Sequence, residues 1–357
     1  MNMAITSPKF SVRVVNLDAQ DEALRIDAYV RDHVNGTPFH LTGWSRAVAR
    51  GCAQISHYLI AEDGDRMLCG ILPLTEVHSP LFGRALVSSG FAVGGGVIAD
   101  AIAVAEQLTE TALTLAKTLK CPTMELRGGV MPGSGWHHDN ETYLGFVRDL
   151  AADDDAELLA IPRKQRAEVR KSLGFDLSVE TGKSQADRDA HYHIYATSVR
   201  NLGTPVFPRK LFDAVLDEFG DDADILTVRH QGRAIASVLS LYFGGTVMPY
   251  WGGGTAEARK WRANDLMYFA LMRHARAKGC TRFDFGRSKA GTGAASFKHN
   301  WGFEGTPLPY AKHVADGEAM REINPLDPRY RLQVQLWQKL PLWLANRMGP
   351  FISRGLG

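Results

Sequence analysis

Residues 223–253 read ADILTVRHQGRAIASVLSLYFGGTVMPYWGG, and they carry the strongest indication of the fold. Three runs of strand-forming residues are joined at Gln231-Gly232 and at Gly244-Gly245, pairs that favour tight hairpin turns. Helical periodicity follows over 263–278, and the segment TRFDFG (281–286) has strand character. A meander followed by a helix and a further strand predicts an α+β or mixed α/β sheet rather than a doubly wound parallel one.

The first half of the chain has a similar order. Helical patterns over 19–32 and 41–52 precede a predicted hairpin, and a third over 100–120 precedes the strand-like segment TMELRG (123–128). No clear sequence repeat links the halves. We nevertheless predict two tandem copies of one architecture, because the same kinds of element recur in the same order.

Length and composition limit the possible domain organisation and function classes. A chain of 357 residues suggests two domains, which we place at 1–150 and 151–318, with a helical tail over 319–357. The 41 basic and 39 acidic side chains give a net charge of +2, which argues against a dedicated nucleic-acid binder. The hydrophobic fraction of 45% is that of a folded protein rather than a disordered one.

The sequence also predicts a location. Four scattered cysteines without a CxxC pair disfavour a structural zinc site and indicate a reducing compartment. The first fifteen residues lack the pattern of a secretory signal, and no apolar run is long enough to span a bilayer. We therefore expect a cytoplasmic protein, with the inner face of the membrane as the alternative placement.

The segment PRKQRAEVRK (162–171) holds five basic residues in ten. On a helix, Arg163, Arg166 and Arg170 stand at i, i+3 and i+7 and share one face. Guanidinium groups bind phosphate oxygens two at a time, so this face is a candidate site for a phosphate or diphosphate. The alternative interpretation is a solvated basic helix paired with the acidic run 153–155.

A second candidate site begins at the strand FDFGRS (283–288), which runs into Gly291-Thr292-Gly293 and then a short helix. Strand ends of this kind expose backbone N–H groups to ligands, although no P-loop pattern follows. Charged residues in an otherwise apolar segment are costly unless they are used or paired. The candidate residues here are Asp284, Arg287, Ser288, Phe297 and Lys298. The alternative is a turn with a packed aromatic cluster.

Other signals are weaker. Tyr250 and Trp251 precede three glycines, so a substrate could approach the backbone there, or the loop is simply flexible. His137-His138-Asp139 has metal-ligand residue types, but adjacent positions seldom converge on one ion. His191 and His193 are interpreted as surface or structural residues. No Ser stands in a GxSxG elbow, so a serine triad is not proposed.

The tail mixes apolar and basic side chains. The apolar residues are Leu332, Leu336, Trp337, Leu340, Leu342, Trp343 and Leu344. The basic residues are Arg329, Arg331, Lys339 and Arg347. Such a mixture suits peripheral contact with a membrane through 329–357. The alternative, favoured by the interruption at Pro341, is a helix docked on the N-terminal domain.

These motifs together resemble the FemAB family. The resemblance rests on the basic helix, the segment ATSVRNLGTPVFPRKLF (196–212), strands ending in YWGGG (250–254), the FDFGRS strand and the SFKHNWGFE helix (296–304). It covers about 155–315 and the tail segment LPLWLANRMGP (340–350). Members are peptidoglycan-bridge aminoacyltransferases with two tandem GNAT-like folds, and the most similar subgroup is the FemAB-related proteins of exosortase (PEP-CTERM) exopolysaccharide loci.

The resemblance implies an acyl- or aminoacyltransferase that forms an amide on a nucleotide- or lipid-linked envelope precursor. It implies that Arg166 and Arg170 hold the precursor's phosphates, that Phe297 and Lys298 lie near the acyl-transfer centre, and that no cofactor or metal is permanently bound. The basic helix reads RKQRAE rather than the family's Lys-Thr-Arg-Asn-Asn type, and no hairpin for tRNA is visible. The acyl donor, aminoacyl-tRNA or acyl-CoA, is therefore left open.

Two other functions compete with this one. An N-acyltransferase could use acyl-CoA on an amino sugar, but the helix opening ARKWRANDL (258–266) lacks the glycines of the usual pyrophosphate turn. A non-catalytic precursor-binding protein of envelope assembly would use the basic helix alone. In the enzyme, Lys298 is expected to stabilise the oxyanion or the leaving group, and Asp284 to act as base or to orient the amine. Arg287 is a candidate for a second anion contact.

Overall fold

The computed structural model describes residues 10–318 and 331–356 and contains two compact units. The first unit comprises 10–140, 309–318 and 355–356, and the second comprises 141–308 and 331–354. Each unit is built on one mixed sheet with helices packed against it, as the meander pattern predicts. Within these residues, no helix combines the length and the apolar character needed to cross a bilayer.

The strands of the described chain are β1 (Phe10–Val15), β2 (Ile55–Asp63), β3 (Leu68–Ser79), β4 (Gly83–Ser88), β5 (Ile98–Ala99), β6 (Thr123–Arg127), β7 (His137–Asp139), β8 (Tyr143–Asp149), β9 (Leu177–Gly182), β10 (Ala223–His230), β11 (Arg233–Phe243), β12 (Thr246–Gly254), β13 (Arg282–Lys289), β14 (Gly305–Pro307) and β15 (Tyr310–Val314). The α-helices are α1 (Gln20–Asp32), α2 (Thr42–Cys52), α3 (Ile102–Thr118), α4 (Asp154–Ala160), α5 (Arg163–Leu173), α6 (Gln185–Asn201), α7 (Arg209–Phe219), α8 (Ala256–Lys260), α9 (Ala263–Ala277), α10 (Gly293–Asn300), α11 (Arg331–Lys339) and α12 (Leu342–Ser353).

The sheet of the first unit has the order β1-β2-β3-β4-β6-β15-β7, with β5 beside β3. Helix α3 carries its apolar residues at helical spacing and buries Val104, Leu108 and Ala112 in the same cluster as Leu59 and Met124 of the strands. Burial of each large apolar side chain contributes about 1.5–3 kcal/mol, so this helix–sheet contact forms the core of the unit.

In the first unit, the segment after β4 forms backbone hydrogen bonds with the residues at the end of β6. Strands β4 and β6 are parallel and pair over 85–87 and 123–125. The chain after β4 then returns, so that Gly96 N–H donates to Arg127 O at 2.9 Å and Val130 N–H donates to Val97 O at 2.9 Å. A Cβ on Gly96 would lie 1.9 Å from Gly128 O, so this close approach requires glycine.

The sheet of the second unit has the order β14-β8-β13-β12-β11-β10-β9. Its buried residues come mainly from these strands and from α5, α9 and α10. Helix α6 packs on β10, β11 and β12. Strands β12 and β13 are parallel neighbours, but their ladder consists of Thr246 with Arg282 and Val247 with Phe283. Beyond these two pairs the strands diverge.

Several sequence expectations need correction. Strand β8, which the boundary at 150 assigns to the first domain, lies between β13 and β14 in the second sheet. Strand β15, which the boundary at 318 assigns to the second domain, lies between β6 and β7 in the first sheet. The chain from 154 to 173 forms two helices, α4 and α5, because Pro162 cannot donate a helical hydrogen bond and its ring blocks continuation. The described tail helices, α11 and α12, pack on α6 of the second unit, whereas docking on the N-terminal domain was the expectation.

Candidate functional site

The divergence of β12 and β13 creates an opening in the second sheet. Within the described chain, the ladder between β12 and β13 ends at Val247 and Phe283. An edge where a ladder stops short can bind an extended ligand in the manner of an added strand. The structure therefore offers a binding edge in the middle of a sheet.

A β-bulge in β13 shapes one side of this opening. Asp284 lies opposite Val147 of β8, and Arg287 lies opposite Gly145, so β13 carries one extra residue. Gly286 lies within the bulge and has φ +66°. A Cβ at this position would meet no atom within 4 Å, so the backbone conformation, and not lack of space, favours glycine here.

Lys298 and Asp284 converge on this bulge. Lys298 Nζ, on α10, donates to Gly286 O at 3.0 Å and to Arg287 O at 2.9 Å. One oxygen of Asp284 accepts the Gly286 N–H at 2.7 Å. Lys298 is only 8% exposed, and its ammonium lies 5.1 Å from the centre of the Phe146 ring. The two predicted catalytic residues therefore bind the same residue, Asp284 through the N–H of Gly286 and Lys298 through its C=O.

Burial controls the charge of both groups. It lowers the pKa of Lys298 to about 8, although the Asp284 carboxylate opposes this effect. Burial also raises the pKa of Asp284, and the Gly286 N–H and the Lys298 ammonium partly offset that rise. A carboxylate with a raised pKa is a stronger base, and a buried ammonium is a strong electrostatic donor to a developing oxyanion.

The other residues predicted near this site lie on β13 and α10. The Arg287 guanidinium stacks over the Tyr143 ring at 4.7 Å. Ser288 is buried within β13. The half-buried Phe297 ring packs against Tyr268 at 5.7 Å, beside the aromatic cluster of the core. Its contact with a substrate remains a prediction from the resemblance.

Tyr250 and Trp251 differ in their surroundings. Tyr250 is the extra residue of a second bulge, because Pro249 pairs with Ser240 and Trp251 pairs with Leu239. Trp251 is buried and its ring lies 4.7 Å from that of Phe212 on α7. Burial of the Trp251 ring makes it a packing residue, whereas the half-buried Tyr250 stands on the edge of the diverging strand.

The three arginines predicted to bind phosphate surround one cavity. Helix α5 presents Arg163, Arg166 and Arg170 to a concave space of about 550 Å³, and Ala167 and Lys171 of the same helix also line it. Arg166 Nε donates to Ile161 O at 3.1 Å, and none of the three forms an ion pair with a carboxylate among the described residues. Three guanidinium groups without carboxylate partners favour an anionic ligand.

The acidic run 153–155, the alternative partner for these arginines, has other contacts. The Asp153 side chain caps α4 by accepting the Ala156 N–H at 2.8 Å. Asp154 pairs with Arg273 at 2.6 Å and also with Arg276. The interpretation of α5 as a basic helix neutralised by this run is therefore not supported by the structure.

A second cavity was missed by the sequence reasoning. It has a volume of about 320 Å³, lies where β12 ends, and is lined by Ser198, Thr255 and Arg259, with Gln338 of α11 at its border. The Thr255 hydroxyl oxygen is buried without a hydrogen-bond partner among the described residues. The available signal was Thr255 itself, a polar residue directly after the YWGGG strand end.

The weak metal signal finds no supporting geometry. His137-His138-Asp139 form the short strand β7, in which His138 pairs with Ala311. Over residues 10–318 and 331–356, no three His, Cys, Asp or Glu side chains are grouped as metal ligands. His191 is a buried residue whose Nδ1 lies 3.0 Å from the Ser237 hydroxyl, and burial lowers its pKa to about 3.

Comparison with known proteins agrees with this architecture. Residues 162–299 match the family model described as acetyltransferase (GNAT) domain. The crystal structure of FemX has a TM-score of 0.67 at 15% identity, covering 86% of this chain and 98% of FemX. The C-terminal domain of a putative lysylphosphatidylglycerol synthetase from Agrobacterium fabrum has a TM-score of 0.56 at 14% identity, covering 83% of this chain and 92% of that domain.

A tandem GNAT protein from the clavulanic acid biosynthesis pathway has a TM-score of 0.53 at 12% identity, covering 87% of this chain and all of that protein. No curated protein matches the sequence. At these identities the structural likeness shows the fold alone. Together with the matched domain, it confirms two predictions: the two-unit GNAT-like fold and an acyltransferase activity. In such enzymes acyl-CoA is a substrate and not a resident cofactor.

Proposed function

We propose that this acyltransferase is FemAB-like and forms an amide on a peptidoglycan or exopolysaccharide precursor at the cytoplasmic face of the membrane. The observation that carries the proposal is the cavity on α5. Arg163, Arg166 and Arg170 surround it without carboxylate partners in the described chain, and the Lys298–Asp284 site lies in the same unit. A nucleotide- or lipid-linked precursor carries the phosphates that such a cavity fits.

The acceptor class is supported by two neighbours in fold. FemX and the lysylphosphatidylglycerol synthetase domain share the architecture of this chain, and the name of the second refers to a product made on a phospholipid. A precursor with a diphosphate would present several oxygens to the three guanidinium groups. Each charge-assisted hydrogen bond contributes about 1.5–3 kcal/mol, so loss of one arginine should weaken binding by about 10–100-fold.

The chemistry follows from the charges around Gly286. The acceptor amine attacks the acyl carbonyl of the donor, so a C–N bond and a tetrahedral oxyanion form. The oxyanion then collapses to the amide and breaks the bond from the acyl carbon to the donor oxygen of aminoacyl-tRNA, or to the sulfur of acyl-CoA. The tRNA hydroxyl or the CoA thiol leaves with the proton that the amine gives up. Asp284, whose pKa is raised by burial, orients the amine or takes its proton. Lys298 uses two of its three N–H groups on backbone carbonyls, which leaves the third to stabilise the oxyanion. Removing one such electrostatic donor costs about 100–1000-fold in rate.

The donor distinguishes this function from the second candidate, transfer from acyl-CoA to an amino sugar. Aminoacyl-tRNA is the donor expected from the FemAB resemblance. The cavity where β12 ends favours acyl-CoA, because Arg259 and the unpartnered Thr255 hydroxyl could bind phosphate oxygens there. A non-catalytic precursor-binding protein, the third possibility, would keep the α5 cavity but would not depend on Lys298.

The proposal is tested by thermal stabilisation with a panel of ligands: acetyl-CoA, CoA, UDP-linked amino sugars, lipid-linked cell-wall precursors and aminoacyl-tRNA. A ligand at 100 times its dissociation constant stabilises the folded state by about 2.7 kcal/mol, which is readily detected. We expect a shift with a UDP- or lipid-linked precursor that is lost in Arg166→Ala. The matched control is Arg209→Ala, which removes an arginine paired with Asp189 at the start of α7.

Transfer of the acyl group to the precursor that binds is then measured directly. Lys298→Ala should lower turnover about 100–1000-fold while precursor binding is retained. A shift with acetyl-CoA alone would replace the proposal by the acyl-CoA candidate. Precursor binding that is unchanged in Arg166→Ala would contradict the phosphate site, and turnover unchanged in Lys298→Ala would contradict the assigned role of the lysine.

A further inference from the structure

Helix α12 packs on the second unit through a face of small residues. Ala345, Gly349 and Ser353 are buried, and the Ser353 hydroxyl donates to Val206 O at 2.8 Å. A Cβ on Gly349 would lie 3.0 Å from Val206 N, which is a tight contact with backbone. The small side chains let the helix approach the loop after α6 closely, so α12 is a docked element with one defined orientation.

The opposite face of α12 is apolar and exposed. Trp343 is 68% exposed and Phe351 is 64% exposed, and Met348 and Arg347 are exposed beside them. At 3.6 residues per turn, positions 343, 347 and 351 lie about 160° around the helix from the buried positions 345, 349 and 353. The pattern is therefore the reverse of an ordinary surface helix, whose large apolar residues face the protein.

Helix α11 also has exposed apolar residues. Leu332 and Leu336 are exposed and share a face with the exposed Lys339, at i, i+4 and i+7. Val334 points the other way and lies against Gly203, where a glycine Cβ would come within 2.4 Å of it. We call the exposed residues Leu332, Leu336, Lys339, Trp343, Arg347, Met348 and Phe351 the tail surface.

The tail surface has a single sign of charge. Residues 332–354 contain Lys339, Arg347 and Arg354 and no acidic residue. Lys339 and Arg347 form no ion pair with the described residues, and the Arg354 guanidinium stacks over the Phe351 ring at 5.2 Å. Large apolar side chains, an exposed tryptophan and unbalanced positive charge are the components of a helix that lies in the headgroup region of an anionic bilayer.

We propose that the tail surface docks on the surface of an anionic lipid bilayer. Trp343, Phe351 and the leucines enter the boundary between headgroups and acyl chains, while Lys339 and Arg347 contact lipid phosphates. Lipid is favoured as the occupant because the basic residues stand among the apolar ones, as an interface between water and hydrocarbon requires. The inference rests on the tail alone and holds whatever the enzyme's substrate is.

Sedimentation with vesicles tests the proposal on the full chain. Vesicles of mixed phosphatidylglycerol and phosphatidylcholine should carry the protein down, and vesicles of phosphatidylcholine alone should carry much less. Each basic residue near an anionic surface contributes about 1 kcal/mol, or about fivefold, so Lys339→Gln with Arg347→Gln should weaken binding by about 25-fold. Added salt should weaken the binding of the unchanged protein.

The apolar contribution is tested with Trp343→Ser combined with Phe351→Ser, which should abolish sedimentation with both kinds of vesicle. The matched control is Leu24→Ser with Val34→Ser, which removes two exposed apolar residues of the first unit. Because all four side chains are exposed, the thermal midpoints of these proteins should agree. Equal binding to neutral and anionic vesicles, binding that survives both tail variants, or a tail-dependent dimer in light scattering without lipid would overturn the proposal.

Discussion

Replacing Lys298 by methionine should change how the stability of the protein depends on pH. Burial lowers the pKa of the folded Lys298 from 10.5 to about 8. The folded state therefore gives up its proton near pH 8, whereas the unfolded state keeps its proton to about pH 10.5. The free energy of unfolding must rise with pH between these values, because in that window the unfolded state binds more protons.

The magnitude follows from the same two pKa values. A drop from 10.5 to about 8, at about 1.4 kcal/mol per pKa unit, means that the buried ammonium costs about 3 kcal/mol at neutral pH. Linkage predicts that about 2 kcal/mol of this is recovered between pH 7 and pH 9.5. The difference in free energy of unfolding between the unchanged protein and Lys298→Met should increase by this amount, because the other groups titrate in both proteins.

Urea denaturation of both proteins at intervals from pH 7 to pH 9.5 measures this difference. Lys210→Met, at an exposed position of α7, reports how pH affects the same substitution where the side chain is in solvent. If Lys298→Met is too unstable to purify, Lys298→Gln provides the same comparison without a titrating group. A difference that stays constant with pH would refute the argument, since it would mean that Lys298 is not held as a buried ammonium.

Three further predictions concern the second unit. Burial lowers the pKa of His191 from 6.5 to about 3, so the free energy of unfolding should fall by about 2 kcal/mol as pH falls from 6.5 to about 4.5. His191→Gln should remove this dependence in acid denaturation. Gly286→Ala should lower the free energy of unfolding, measured by urea denaturation, by about 1–2 kcal/mol, because alanine is strained at φ +66°. Glu157→Gln should lower the free energy of unfolding by about 3–5 kcal/mol, because this fully buried carboxylate pairs with two arginines. The control Glu180→Gln, at an exposed ion pair, should lower it by less than about 1 kcal/mol. Equal losses for the two variants in urea denaturation would contradict this reasoning.

The elements set by local chemistry were predictable from the sequence. Both turns of the meander form where the residue pairs predicted them, with φ +49° at Gln231, +76° at Gly232, +53° at Gly244 and +71° at Gly245. These conformations favour glycine and are encoded within a few residues. The face shared by the three arginines of α5 was predictable for the same reason, since helical spacing alone places them together.

Features that depend on distant residues were not predictable. Nothing in the alternation of β8 indicates whether it pairs with β13 or with a strand of the first sheet, because strand partners are chosen by long-range packing. The bulge at Gly286 could have been suspected, since a glycine inside a strand often marks one. The hydrogen bonds from Lys298 to the carbonyls of this bulge could not have been predicted. They join α10 to β13, and the sequence does not state how these two elements lie relative to each other.

Strand β8 belongs to the second sheet and β15 to the first, and this determines the order in which the two sheets can be completed during synthesis. The first sheet lacks the strand between β6 and β7 until residues 310–314 have emerged, after nearly all of the second unit has been made. The second sheet, in contrast, already has β8 when its other strands arrive. Synthesis therefore supplies every strand of the second sheet before the last strand of the first sheet, and the β6 edge that pairs with β15 stays open until then. Neither half cut at residue 150 would contain a full sheet.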